Sequence, residues 1–395
     1  MWRIVLSAIV AVSVGCGGGG GSGNDNQSPE PTITSAATAT PQATPGTRAN
    51  AWSVGARTDP GGPDEPGRID GIILRSSDAG AHWTQTLSVE SADFEGVSFA
   101  DAARGWVVGF SGGAGELLRS DDGGLTWVSQ RAAVPITDTF SLQAVQALSR
   151  DTVVAVGAGK PLPGTPDAPG LILRTENAGA TWSVVPIPTG GGGDATRTRL
   201  ASVCLTPDGA GLAVGSGTST RLVVRTSDEG RSWTDITARA VGSTASEVFD
   251  VACHEDEFWV ATVGGTFVRY SPDGGETWRD ALSVALDAGI VGISAPARGV
   301  AVAVGVDRNQ PLILRTEDAG VTWTRQPIDG DAGERALVDV SFASPNDGTA
   351  VGSAIGLPPG APGSLTVLAP ATGALWTRGE SLDGFVSLHA VARIP

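Results

Sequence analysis

Ser271-Pro272-Asp273-Gly274-Gly275-Glu276-Thr277-Trp278 is one of six copies of an eight-residue pattern, Ser/Thr-x-Asp-x-Gly-x-Thr/Ser-Trp, carried by a chain of 395 residues. The other copies begin at Ser76, Ser120, Thr175, Thr226 and Thr316. The closing residues Trp83, Trp127, Trp182, Trp233, Trp278 and Trp323 fall 44, 55, 51, 45 and 45 residues apart. Self-similarity at that period marks a solenoid or a propeller. The pattern makes physical sense as a hairpin turn. The carboxylates of Asp78, Asp122, Asp228, Asp273 and Asp318 can accept from backbone N–H groups one or two residues on, Gly supplies a positive φ, and Trp covers the turn. Asn177 takes the Asp place in the third copy, keeping the acceptor without the charge, and His82 replaces the Thr/Ser of the first. A seventh copy, Ala369 to Trp376, keeps Gly373 and Trp376 but has no Asp.

Each copy lies between the same strand signals. Before it runs a short apolar stretch ending in Arg: Ile72-Ile73-Leu74-Arg75, Leu171-Ile172-Leu173-Arg174, Leu312-Ile313-Leu314-Arg315 and their counterparts at Arg119, Arg225 and Arg269. Upstream lies a Val-Gly strand, as in Gly105-Trp106-Val107-Val108-Gly109 and Ala301-Val302-Ala303-Val304-Gly305. Between one Trp and the next Val-Gly strand comes an alternating run such as Phe94-Glu95-Gly96-Val97-Ser98-Phe99. Period-two alternation bounded by Gly, Pro and Asp is the pattern of half-buried strands. Four strands per unit and seven units predict an all-β fold, a seven-bladed propeller of four-stranded antiparallel blades, with strands A to D counted outward and the Asp turn between C and D. The count is offset by one strand. The folded part opens at a B strand, Ala51-Trp52-Ser53-Val54-Gly55, and ends on an unpaired A strand, Leu388 to Arg393. The C-terminal strand should therefore pair into the first blade, closing the ring and removing an open edge.

The sentence Val-Gly, then Ile/Leu-Leu-Arg-Thr/Ser-x-Asp-x-Gly-x-Thr-Trp, resembles the Asp-box (BNR) repeats of sialidases and sortilin-type receptors. It is most similar to the photosystem II assembly and stability factor family, over roughly residues 50–395. That resemblance implies a propeller serving as a binding or assembly platform. The box is specific for the propeller type and poorly specific for activity, because sites are grafted onto folds.

The first 16 residues form a separate unit. Arg3, an apolar stretch from Ile4 to Val12 and then Ser13-Val14-Gly15-Cys16 read as a secretory signal, the apolar run being too short for a membrane span. Small residues before a lone Cys resemble the bacterial lipoprotein signal, with Ser13 where that motif usually has Leu. Cys16 is then the lipidated N-terminus, and several acyl chains at about 0.8 kcal/mol per buried CH₂ anchor the chain stably. Residues 17–50 are Gly, Ser, Thr, Ala, Pro and Gln with almost no large apolar side chain, a disordered tether with a reach of roughly 30 Å. Residues 51–395 make one propeller domain. The expected location is the bacterial cell envelope, membrane-anchored, or the exterior.

A net charge of −16 argues against nucleic acid, which needs a basic face against its phosphates. Besides Cys16 there are Cys204 and Cys253, on the A strands of consecutive blades, matching Ser98 and Phe99 respectively. Their side chains point to opposite blade faces, and opposite faces of neighbouring blades look at each other. In an oxidising compartment a disulfide is then possible, two small buried thiols being the alternative.

The search for convergent chemistry finds little. His82, His254 and His389 lie in a box, at the end of an A strand and in the closing strand, with no metal-ligand spacing, so no metal or cofactor is expected. Sialidase chemistry would need a Tyr nucleophile with a Glu partner at the axial mouth, and the sole tyrosine, Tyr270, precedes a box in the outer half of a blade. No catalytic residue is assigned. A glycan-binding or glycan-hydrolysing propeller, cleaving through paired carboxylates, is the alternative function. The arginines Arg75, Arg119, Arg174, Arg225, Arg269 and Arg315 recur once per blade in the same place, as structural residues do. Function is expected where the repeats differ: the B-C insertions Arg57 to Arg68, Lys160 to Asp167 and Leu357 to Pro362, with the D-A connection Thr189 to Asp194. All emerge opposite the boxes, and loops on a rigid scaffold carry binding. The chain thus reads as a lipid-anchored platform for a protein or glycan partner on the B-C loop face.

Overall fold

The computed structural model describes residues 50–394, apart from loop residues 60–67, 113, 162, 165–166, 189, 243–246, 264–267, 283–287, 331–332, 355–363, 370–374, 381 and 383–384, together with the backbone of Thr32–Ser35. Seven antiparallel four-stranded arrays form the ring. The strands nearest the axis are Phe385–Arg393, Ala92–Phe99, Ser141–Ala147, Arg199–Leu205, Glu247–His254, Ala288–Ala297 and Arg335–Ser344, the A strands of blades 1 to 7. Blade 1 is assembled from both ends of the domain: Phe385–Arg393 pairs with Ala51–Asp59, running from Ala51 opposite Arg393 to Thr58 opposite Phe385. The predicted closure is the observed one.

All seven A strands carry a β-bulge, at Glu95, Gln143, Ala201, Phe249, Val291, Val338 and His389, each beside the end of its B strand. The bulge explains the Val-Gly signature. A Cβ on Gly55, Gly109, Gly157, Gly215, Gly305 or Gly352 would lie 1.9–2.1 Å from a carbonyl oxygen of the bulging strand, so only glycine fits. Blade 5 departs from this rule with a buried Thr262. A bulge adds one residue to one strand and re-aims its side chain, here on every blade and toward the axis.

The repeated turns differ from the expectation in two details. The hydroxyl of the first residue takes the nearer N–H groups, Thr226 Oγ1 accepting from Asp228 N at 3.3 Å and Gly230 N at 3.0 Å. The carboxylate reaches further, Asp228 Oδ1 accepting from Ser232 N at 2.9 Å. Asp78, Asp122, Asp273 and Asp318 make the same bond four residues on, and Asn177 makes it to Thr181 N. Two consecutive residues are left-handed, not one: Ala79 and Gly80, Ala178 and Gly179, Glu229 and Gly230, Ala319 and Gly320. A short hydroxyl is close enough for the first turn of backbone, which leaves the longer carboxylate for the donor beyond it.

Arginines at the C-strand ends of blades 1 to 4 latch each blade to the repeated turn of the next, while Arg315 of blade 6 donates to Pro345 O of blade 7 at 3.1 Å. Arg75 donates to Gly123 O at 2.9 Å, Arg119 to Ala178 O at 2.7 Å and Arg174 to Glu229 O at 2.8 Å. Arg225 pairs with Glu276 at 2.6 Å. Arg269 does not share this place. Tyr270 stands between it and its turn, so Arg269 sits opposite Val260 and bonds Ala240 O and Asp280 instead. In blade 5 the latch comes from Arg279, which crosses the Tyr270 ring and donates to Ala319 O. Between blades 7 and 1 it comes from Thr349 Oγ1, donating to Ala79 O.

Apolar clusters fill the spaces between blades. One gathers Trp106 and Leu117 of blade 2 with Leu142, Val153 and Trp182 of blade 3. The stretch expected to be a featureless tether contributes one element: Thr32–Ser35 lies parallel to Thr322–Arg325 on the outer edge of blade 6. Cys16 lies outside the described residues. Among the described residues no helix is long and apolar enough to cross a membrane.

Candidate functional site: the axial cavity

The bulged residues of all seven A strands line one cavity on the ring axis, of about 340 Å³. Its two ends differ. At the A-strand ends, toward the turn face, Cys204 and Cys253 form a disulfide between blades 4 and 5, with Cα atoms 6.0 Å apart. Toward the B-C face, Glu95 and His389 project from bulges on adjacent strands, with Asp93 one pleat away.

The carboxylates in this cavity fall into two kinds. Asp250 is fully engaged: Oδ1 accepts from Ser202 Oγ at 2.5 Å and from Val251 N at 2.8 Å, and Oδ2 from Ile293 N at 2.8 Å. It thereby joins blades 4, 5 and 6. Asp339 accepts from Val340 N and Val391 N, both at 2.7 Å, joining blade 7 to the closing strand. Burial raises both pKa values, and for Asp339 the neighbouring Asp250 charge adds to it, giving about 7. These two aspartates are staples between blades.

Asp93, Glu95 and His389 are arranged differently. His389 Nδ1 stands 3.2 Å from Asp93 Oδ1, 3.6 Å from Glu95 Oε2 and 3.2 Å from Phe94 O. Asp93 is 2% exposed, and its Oδ1 has no hydrogen-bond partner of good geometry. Burial opposes charge on the imidazole, but Asp93 and Glu95 outweigh it and hold the His389 pKa up to about 9. Burial likewise pushes the Glu95 carboxyl up. His82, His254 and His389 lie on different elements. What the sequence reading missed is that His389 converges with two carboxylates almost 300 residues away, since ring closure brings its strand beside Ala92–Phe99.

The other singled-out residues lie elsewhere. His82 is exposed and paired with Asp78 at 2.7 Å in the first turn, and His254 ends the A strand of blade 5. Tyr270 is 4% exposed, its hydroxyl donating to Glu257 at 2.6 Å under the Arg279 side chain, too enclosed to meet a substrate. The turn tryptophans cover their turns: the Trp127, Trp233 and Trp278 indoles donate to Gly124 O, Gly230 O and Gly275 O, Trp83 to Thr366 and Trp323 to Ala281 O, while Trp182 packs in the space between blades 2 and 3.

Of the loops on the B-C face, residues 60–67 and 357–362 lie outside the described residues. The described residues of the other two are held by hydrogen bonds. Buried Asp167 accepts from Thr218 N and its hydroxyl at 2.9 and 2.7 Å and pairs with Arg197 at 2.9 Å. Asp235 Oδ2 accepts from Gly191 N and Gly193 N at 2.8 and 2.9 Å.

Residues 75–248, from the end of the first C strand to the fifth A strand, match the family described as photosynthesis system II assembly factor YCF48. The resemblance read from the repeats is borne out over that stretch. A YCF48 structure bound to a D1 peptide superposes with a TM-score of 0.51 at 18% identity, covering 77% of this chain and 90% of that one. YCF48 from Cyanidioschyzon merolae gives 0.52 at 18% identity, with 81% and 98% covered. A family 74 glycoside hydrolase from Niastella koreensis gives 0.53 at 14% identity, with 78% and 52% covered. At these identities the structural likeness establishes the fold. No curated protein matches the chain.

Proposed function

We propose that this chain is a lipid-anchored, extracytoplasmic and non-catalytic platform that binds an extended segment of a partner protein on the B-C loop face. The observation that carries the reading is the match of residues 75–248 to an assembly-factor family. A structure of similar fold in that family holds a peptide, which makes a peptide segment the favoured class of partner here. The geometry agrees with that use. Latches, staples and ring closure make the scaffold rigid, and a rigid scaffold lets loops hold a ligand without a large ordering cost. The anchor rests on Cys16 and the tether, which would hold the propeller clear of the headgroups.

The test is capture of membrane proteins by the mature, anchored chain, beside a variant in which residues 60–66 and 160–166 are replaced by short Gly-Ser turns. A partner retained by the native chain and lost by the variant supports the reading. A partner retained by both, and lost on substitution of exposed turn-face residues, places binding on the wrong face. In parallel, Cys16→Ala should release the chain from membranes, and retention after a high-salt wash counts against lipidation. The glycan-acting alternative draws only on a shared fold, and release of reducing sugar from polysaccharide by the native chain would favour it.

A further inference from the structure

We propose that Asp93, Glu95 and His389 form a binding site for one divalent cation of the zinc or manganese class, facing the axial cavity. The three residues offer one imidazole and two carboxylates whose ligand atoms all lie within 4.8 Å of one another. Two of the spacings already suit a single ion: Nδ1 to Asp93 Oδ1 is 3.2 Å and Nδ1 to Glu95 Oε2 is 3.6 Å. Bonds of about 2.1 Å in a tetrahedron put neighbouring ligands roughly 3.4 Å apart. Only the two carboxylates have further to close, and Glu95 is long enough to swing. Its place at a bulge, next to open cavity volume, gives that movement room.

Two further observations point to a ligand. Asp93 is buried, and its Oδ1 makes no well-formed hydrogen bond yet faces the imidazole 3.2 Å away, unlike the fully engaged carboxylates elsewhere in the cavity. Charge balance is the second. Two carboxylates and a neutral imidazole around a dication sum to zero. Asp250 and Asp339, acidic and buried in the same cavity, do not qualify, because backbone N–H groups already occupy their oxygens. Three protein ligands leave a fourth position open toward the cavity, and mixed imidazole and carboxylate donors suit zinc or manganese better than calcium.

The experiment uses the full chain stripped with a chelator and titrated with ZnCl₂ or MnCl₂ by calorimetry, with Co²⁺ as the absorbance probe. The expected result is one ion per chain, a visible Co²⁺ spectrum displaced by zinc, and a higher melting temperature with zinc. Glu95→Gln and His389→Gln should each weaken binding by at least about tenfold, while His82→Ala, at the exposed imidazole–carboxylate pair, should leave it unchanged. Absence of stoichiometric binding overturns the proposal, as does equal affinity in Glu95→Gln and the native chain. Loss of binding on His82→Ala alone overturns it too. If His389→Gln fails to fold, Glu95→Gln and the native Co²⁺ spectrum still decide.

Discussion

Truncating Leu388 to alanine tests the ring closure most directly. Leu388 is fully buried, and beside it Val386 and Val391 are 1% and 5% exposed, all three packed with Ala51, Leu74 and Val351 from the neighbouring strands and blade 7. Full burial of each such side chain is worth about 1.5–3 kcal/mol, so the closing strand contributes roughly 5–9 kcal/mol from these three alone. That is comparable to the whole stability of an ordinary domain, about 5–15 kcal/mol. Leu388→Ala, which also leaves a cavity, should cost about 2–5 kcal/mol. For a domain of this size the unfolding entropy converts that into a fall in melting temperature of roughly 3–7 °C. Val128→Ala is the control, because Val128 is 62% exposed on an outer strand and its truncation should cost under about 0.5 kcal/mol. Deleting the chain from Leu388 onward should go further, baring the edge of Ala51–Asp59 and driving self-association. Calorimetry and size-exclusion chromatography with light scattering read both. If Leu388→Ala melts with Val128→Ala, or the truncated chain stays a monomer with native stability, the closing strand is not what holds the ring.

Reduction of the Cys204–Cys253 bond, which closes a loop of 49 residues, should lower stability by up to about 4 kcal/mol on the loop-entropy account; urea midpoints with and without reductant measure it, and equal midpoints refute a stabilising role. Ala319→Gly should raise stability by about 0.5–1 kcal/mol, since Ala319 is held at a φ of 60° where the equivalent position in blades 2 and 5 is Gly123 or Gly274; a loss in thermal denaturation would show that the methyl group matters more than the strain. Asp122 is held down to about 2 by bonds from Thr126 and Ser120, so its stabilisation is complete above the ordinary carboxylate range and disappears as pH falls from about 4 to 2. Asp122→Asn, the residue that blade 3 already uses at Asn177, should therefore flatten the acid limb of the stability–pH curve, and an unaltered limb would mean the turn carboxylates do not set acid resistance.

Much of this molecule was legible in its sequence, for a physical reason. Each blade is a local unit in which turn chemistry, strand alternation and the covering Trp lie within about fifty residues. Repetition made the signal visible several times over, so blade number, strand order and even the strand exchanged between the termini followed from counting. The Val-Gly signature was equally visible, but its cause was not, because the carbonyl that excludes a side chain from Gly109 belongs to another strand. The displacement of Arg269 by Tyr270 shows how one extra residue reverses a side chain's face while leaving the pattern almost intact. The axial site was beyond sequence reasoning altogether. Asp93 and Glu95 look like any acidic pair on an alternating strand, and His389 lies in a chain end nearly 300 residues away. Only closure of the ring sets these strands side by side, and only the bulges turn Glu95 and His389 into the cavity. A repeat determines what each blade is; what seven blades enclose depends on residues that occur once, brought together by the tertiary structure.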